Sequence, residues 1–376
     1  MMARLEEICA INMGQSPDSS TYNEDGNGLP FFQGNADFGE IYPAVRMWCS
    51  EPTKIAREKD ILISVRAPIG ALNIANCECC IGRGLAALTV NEDICAQEYL
   101  WHALSGKVDE LNSKGTGSTF KAINKKTLSE TEIPLPPIDE QRKIAAILDK
   151  VSDLIAKRRQ QLDTLDELVK ARFVEMFGDV IQNTKLWPQY IFSDITTSRL
   201  GKMLDAKQQT GMCQYPYLAN FNVQWFRFEL DNLNEMDFNE ADRIEFELRD
   251  GDLLVCEGGE IGRCAVWHNE IQPCYFQKAL HRVRCKKEIV LPDYLAWWFK
   301  YNCDNKGFAA IEGAKATISH LPGAKLKALL VSVPPIEQQK QFATFVEQTG
   351  KTKITISRSL EKLETLKKAL MQEYFG

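Results

Sequence analysis

Two short stretches concentrate the side chains that grip a polyanion. GTGSTFKAINKK places Gly115, Ser118, Thr119, Lys121, Asn124, Lys125 and Lys126 close together, and positions 111–129 contain no acidic residue. GAKATISH places Lys315, Thr317 and His320 in a comparable run. Apolar segments elsewhere carry Arg66 and Arg83 in the first half of the chain, and Arg263, Lys278 and Arg282 in the second. Backbone N–H groups, hydroxyls and Lys or Arg hold phosphates, while Arg, Lys, Asn and Gln side chains read base edges. These residues are therefore the candidate nucleic-acid contacts. A further basic run, Arg282, Arg284, Lys286 and Lys287, has the plainer reading of a solvated face. The formal net charge of −6 gives no bulk attraction to nucleic acid, so any such binding must be local.

The residue patterns of common enzymes are missing. There is no GxxxxGK phosphate loop and no Gly-rich cradle after a strand for a dinucleotide. His102, His268, His281 and His320 lie outside any HExxH or HxE context and read as structural histidines. Cys77, Cys79 and Cys80 are close, but their C-x-C-C spacing lacks the partner pair of a zinc site, which favours buried small hydrophobes. The chain thus reads as a binding protein with no catalytic residue, metal or cofactor of its own. Two readings stay open beside it: an enzyme that modifies or cleaves DNA through a dispersed site, and a helical scaffold whose globular parts bind protein.

The elements that must position these groups are organised around Leu135 to Asp179. Pro136-Pro137 bars helix before it, Asp139 and Glu140 suit the positive end of a helix dipole, and no Gly or Pro follows until Gly178. A helix over 139–177 is expected, roughly 58 Å long at about 1.5 Å per residue. Ile144, Leu148, Val151, Ile155, Leu162, Leu165, Val169 and Met176 recur on alternating steps of three and four, the spacing of a helix-pairing seam. Ile147, Leu154 and Leu168 widen that stripe, so the helix is expected to pack on more than one neighbour.

The same stretch occurs twice. Pro136 and Pro334 stand 198 positions apart (334 − 136). Without a gap this offset pairs Ile138 with Ile336, Gln141 with Gln339, Ala145 with Ala343, Leu165 with Leu363, and Phe177-Gly178 with Phe375-Gly376. The second seam is Phe342, Val346, Ile356, Leu360, Leu363, Leu370 and Tyr374, broken by Lys353 and Lys367. A repeat of this length means two domain-sized halves. Strands are expected at 61–65 and 72–74 around a turn at Pro68-Ile69-Gly70, another across 79–90 in which Gly82 and Gly84 permit a bulge or a close backbone approach, and a helix over 96–114. RDGDLLVCEGGEIGRCAVW, CYFQKALHRVRC and LPDYLAWWFKYNCDNKGF take the corresponding places in the second half.

The expected class is α+β: two similar mixed modules at residues 1–134 and 180–333, and two long spacer helices at 135–179 and 334–376. If the helices pack antiparallel and coiled-coil-like, a pseudo-twofold relates the modules, and both can face one duplex at two separated and dissimilar half-sites. The start of the chain has no apolar run of the export type, and no stretch is apolar enough to span a membrane. Twelve cysteines without an export signal point to a reducing cytoplasm.

LPPIDEQRKIAAILD with VPPIEQQKQFATFVE, GTGSTFKAINKKTLSETEIPLPP, SVRAPIG and CIGRGLAAL resemble the DNA-specificity subunits of type I restriction–modification systems, over essentially the whole chain. The resemblance implies two target-recognition domains, each reading half of a split double-stranded DNA site. It implies helices that dock two methyltransferase (modification) subunits, and a complex joined by a restriction/translocase subunit. It further implies that the subunit is itself non-catalytic: S-adenosylmethionine, ATP and Mg act on the partners, which methylate adenine and cleave foreign DNA. The second copy departs from the first at Gln338, where the first has Glu140, and at EGGEIG, which has no Arg matching Arg66.

Overall fold

Each proline pair releases a helix of 40 residues, Ile138–Phe177 and Ile336–Phe375. The first ends where expected: Gly178 takes φ +72° and its N–H donates to the Val174 carbonyl at 2.8 Å, closing the last turn. The computed structural model describes residues 1–117, 121–205, 209–309 and 320–376. Packing divides the chain into residues 1–160 with 356–376, and residues 161–355. The division runs through both long helices, so each unit holds one module and a segment of each helix.

In the first unit, Cys9–Met13, Leu85–Val90, Ile61–Ser64 and Leu72–Ile74 form an antiparallel sheet in that spatial order. Its central strands carry continuous apolar runs, Ile61 to Ile63 and Leu85 to Leu88, because both faces are covered there. Ile61, Ile63, Ala86 and Leu88 join a core with the helix Gln97–Ser105 and with Ile144, Leu148 and Phe375 of the long helices. Leu62, Leu85 and Ala87 point the other way, onto Phe32, Cys79 and Ile81. This is the two-residue alternation of strands, with each side buried against a different layer. Leu29–Phe32 and Cys79–Ile81 pair in parallel in the second sheet.

The second unit repeats the plan. Thr196–Leu200, Leu280–Cys285, Leu253–Cys256 and Cys264–Val266 form its four-stranded sheet, and Gln214–Leu218 pairs in parallel with Tyr275–Phe276. Leu253, Val255 and Val283 face the helix Pro292–Asp304, Phe173 and Phe342, whereas Leu254, Cys256 and Leu280 face Phe276 and Trp267.

Two expected elements are broken. The strand expected across 79–90 divides into Cys79–Ile81 and Leu85–Val90, which belong to different sheets. Gly82-Arg83-Gly84 makes the crossing, where a Cβ on Gly82 or Gly84 would come within 2.9 or 2.5 Å of Gln33 backbone atoms. The helix expected over 96–114 divides into Gln97–Ser105 and Val108–Ser113.

Within each unit the long-helix segments run antiparallel. In the first, Phe375 shares a core with Ile144 and Leu148, and Arg159 Nη2 meets Glu364 Oε1 at 2.7 Å. In the second, Phe342 packs on Phe173 and Phe177 with ring centroids 5.4 Å apart in both pairs, and Lys353 Nζ meets Asp166 Oδ1 at 2.6 Å. Ile144, Leu148, Val151, Ile155 and Phe342 are buried. Leu162, Leu165, Ile356, Leu360 and Leu363 are half-buried, because away from the modules a seam has only the facing helix to cover it; Val346 and Leu370 are half-buried at the margins of the module cores. Ile147, Leu154 and Leu168 were expected to meet a second neighbour and instead remain 43%, 38% and 47% exposed. No helix among the described residues is long and apolar enough to cross a membrane.

Candidate nucleic-acid interface

In the first module, Arg66 follows the strand Ile61–Ser64, and Arg83 stands between the two glycines of the sheet crossing. Backbone bonds hold these loops together. Val65 N–H donates to the Gly84 carbonyl at 2.9 Å, Gly84 N–H to Gln33 at 3.2 Å, and Ala67 N–H to Lys121 at 3.1 Å. Arg66 and Arg83 consequently line one pocket of about 310 Å³ with Gln33, Asn35 and Asp37. Both arginines are exposed, and among the described residues neither guanidinium has a hydrogen-bond or ion-pair partner. Lys121, Lys125 and Lys126 are exposed nearby in the chain. Asn124 caps the short helix Lys125–Ser129, accepting from Thr127 N–H at 2.9 Å. Ser118 and Thr119 lie outside the described residues.

The second module places its candidates differently. Lys278 stands at the crossing that matches Arg83 and is exposed. Ala279 occupies the place of Gly84 with φ +87°. Arg263 is not a free cation: its Nη2 donates to the Asn220 carbonyl at 3.0 Å, Glu260 lies 3.8 Å away, and its side chain is only 17% exposed. The basic run is a solvated face only in part: Lys286 and Lys287 are exposed, whereas the two arginines are engaged within the fold. Arg282 Nη1 donates to the Glu245 and Glu247 carbonyls at 2.6 and 3.2 Å and lies over the Phe276 ring, and its burial draws its pKa down to about 10. Arg284 forks onto both oxygens of Asp252 at 2.7 and 3.1 Å, and Lys286 Nζ donates to the Asp194 carbonyl at 2.7 Å. Their acceptors come from distant segments, so the pairing leaves no mark on local sequence. Lys315 and Thr317 lie outside the described residues.

The four histidines each have a partner within the fold. His102 Nε2 lies 2.7 Å from Asp149 Oδ1, His281 Nε2 3.1 Å from the Leu321 carbonyl, His268 Nδ1 3.3 Å from Asp250, and His320 Nε2 3.3 Å from Glu257. Burial pushes the Cys9, Cys79 and Cys95 thiols up to about 12, which keeps them protonated and inert. Cys80 is also fully buried. Among the described residues no three His, Cys, Asp or Glu side chains gather as a metal site would need. Gln33 and Asn35 are pocket residues that the sequence reading missed. Their only local signal is the polar, glycine-containing FFQGNADF after an apolar strand.

The family model described as "Type I restriction modification DNA specificity domain" matches residues 1–166 and 185–367. The chain belongs to this family. The putative type I restriction enzyme MjaX specificity subunit of Methanocaldococcus jannaschii is 44% identical over 165 residues, covering 44% of this chain and 39% of that protein. The type I restriction enzyme EcoBI specificity subunit of Escherichia coli is 21% identical over 411 residues, covering 99% of this chain and 84% of the relative. The crystal structure of the S subunit from M. genitalium has the same fold, with a TM-score of 0.63 over 100% of this chain and 96% of that one at 12% identity. The family match falls in two segments, as the duplicated plan of this specificity-domain chain does.

Proposed function

We propose that the chain is the DNA-specificity subunit of a type I restriction–modification complex. Each module reads one half of a split duplex target, and the long helices dock the methyltransferase subunits. The subunit is non-catalytic and works in the cytoplasm. Methyl transfer from S-adenosylmethionine and ATP- and Mg-dependent translocation and cleavage belong to the methyltransferase and restriction subunits.

One observation carries this reading: a single plan occurs twice, and its sheet crossing presents a different exposed cation each time, Arg83 in one module and Lys278 in the other, neither side chain with a partner among the described residues. A duplicated scaffold with unlike reading loops suits a target made of two unlike halves. Docking is supported by the uncovered row Ile147, Leu154 and Leu168, because apolar positions recurring along one side of a charged helix suit a partner surface.

Replacing the second module with that of another specificity subunit, beside the same methyltransferase, tests the reading. The methylated motif should change in one half only. A motif unaltered by the exchange would refute it.

A further inference from the structure

We propose that Arg66 and Arg83 together recognise a guanine in the half-site read by the first module, whereas the second module reads its half-site without an arginine–guanine contact. This rests on the reading of the chain as a DNA-specificity subunit.

Two guanidinium groups and two carboxamides, Gln33 and Asn35, line the same pocket of about 310 Å³. None of these four side chains has a hydrogen-bond partner among the described residues. Their combination matches the major-groove code. Arg donates two parallel bonds to guanine O6 and N7, and Asn or Gln complements the donor and acceptor of adenine. Asp37 lines the same pocket but makes no ion pair with either arginine among the described residues; its Oδ2 accepts from Gln33 N–H at 2.8 Å and Gly34 N–H at 3.4 Å. The pocket's backbone is also held in advance: Arg83 N–H donates to Ser16 Oγ at 3.3 Å, and both flanking glycines are pressed against Gln33. A backbone fixed in this way loses little freedom on binding, which leaves only the side chains to be ordered.

The second module lacks the equivalents. Arg66 makes an isolated antiparallel bridge with Ala122, and the matching bridge joins Gly258 to His320, so a glycine stands where Arg66 does. Asn220 begins the 3-10 turn that corresponds to Asn35–Asp37, but its Nδ2 donates to the Gly258 carbonyl at 3.2 Å. Its own carbonyl holds Arg263. Lys278 remains, a point charge suited to phosphate rather than to a two-pronged contact.

The test uses the full chain expressed with its methyltransferase subunit in a host without other adenine methylation, with the methylated motif mapped by single-molecule sequencing. The wild type should give a split motif with a guanine in one half. Arg66→Ala and Arg83→Ala should each relax that position, lowering the preference for guanine on the order of ten- to a hundred-fold, and leave the other half unchanged. Arg83→Lys keeps the charge without the fork and should relax the position as well; it also serves if the alanine variant does not fold. Wild-type selectivity in Arg83→Lys would mean that a two-pronged guanidinium contact is not what selects the base, which overturns the proposal, as does an unchanged motif in all three variants. A wild-type chain that directs no split motif overturns the underlying reading, and the inference falls with it.

Discussion

Gln141 and Gln339, related by the 198-residue offset, make the same three hydrogen bonds. Gln141 Oε1 accepts from Ala96 N–H at 2.9 Å while its Nε2 donates to the Ile94 and Pro136 carbonyls at 3.1 and 2.8 Å. Gln339 accepts from Leu291 N–H at 2.8 Å and donates to the Ile289 and Pro334 carbonyls at 3.0 and 2.8 Å. Both amides are fully buried. Each ties the start of a module helix to the first turn of a long helix, where backbone groups lack partners of their own. Gln141→Leu and Gln339→Leu should each cost about 2–4 kcal/mol, since three backbone groups, one buried and two part-buried, lose their partner. Urea unfolding checks this, and a loss below about 1 kcal/mol would mean that water replaces the amide.

The aromatic packing sets a second expectation. Phe342 is fully buried, with the Phe173, Phe177 and Trp297 rings 5.4, 5.4 and 5.9 Å away. Phe342→Ala should cost about 3–5 kcal/mol. Leu165→Ala, at a half-buried seam position, should cost less than half of that. Equal losses in chemical denaturation would contradict this account of where the seam is anchored.

His102 supplies a pH dependence. Burial lowers its pKa below the ordinary value, outweighing the raising effect of Asp149 and Glu98, while Lys367 lowers it further. The unfolded chain, with His near 6.5, therefore binds the proton more readily. The contribution of neutral His102 is complete above about pH 6.5 and declines as pH falls through the lower folded value. His102→Gln keeps a donor for Asp149 but does not titrate. The stability advantage of the wild type over this variant should shrink between pH 7.5 and pH 5.5, measured by urea unfolding at each pH. An advantage that grows on acidification would reverse the sign assigned here.

The limits of sequence reading follow from which forces are local. The long helices were legible because Pro136-Pro137 and Gly178 act on their own backbone, and because a seam of 3.5-residue spacing needs no knowledge of its partner. The crossing at Gly82-Arg83-Gly84 was legible only in part: the two glycines allow a bulge or a close backbone approach, but the contacts that separate Cys79–Ile81 from Leu85–Val90, with Gln33, Gly34 and Gly14, come from segments some fifty or more residues earlier. The arginines illustrate the same limit. Arg83 and Arg263 look alike in sequence, each beside a glycine and a strand. Asn220 and Glu260 occupy one of them, while the other faces an open pocket.

The two modules' crossings should respond oppositely to a methyl group. A Cβ on Gly84 would sit 2.5 Å from the Gln33 carbonyl oxygen, so Gly84→Ala must push the two strands apart at a cost of about 1–3 kcal/mol. Ala279, in the same place, already holds φ +87°, a conformation that L-residues adopt at a penalty. Ala279→Gly should therefore stabilise the second module by up to about 1 kcal/mol, after the larger unfolded-state entropy of glycine is subtracted. Thermal unfolding of both variants decides the matter, and a destabilising Ala279→Gly would show that packing of the methyl group outweighs backbone strain.

Lys278 and Arg263 separate contact from support. Lys278 is exposed at the sheet crossing, whereas Arg263 is held by the Asn220 carbonyl. In the assembled complex, Lys278→Ala should weaken binding to all duplexes alike and reduce the slope of log affinity against log salt by about one, as loss of one phosphate contact requires. Arg263→Ala should instead lower the melting temperature, because it leaves the Asn220 carbonyl without its donor, and should leave that slope unchanged in the fraction that remains folded. Titrations of labelled duplex at several salt concentrations, alongside thermal melts, distinguish the two roles. If Arg263→Ala flattened the salt dependence without loss of stability, Arg263 would be a DNA contact, and the arrangement of free and engaged cations in the second module would have to be redrawn.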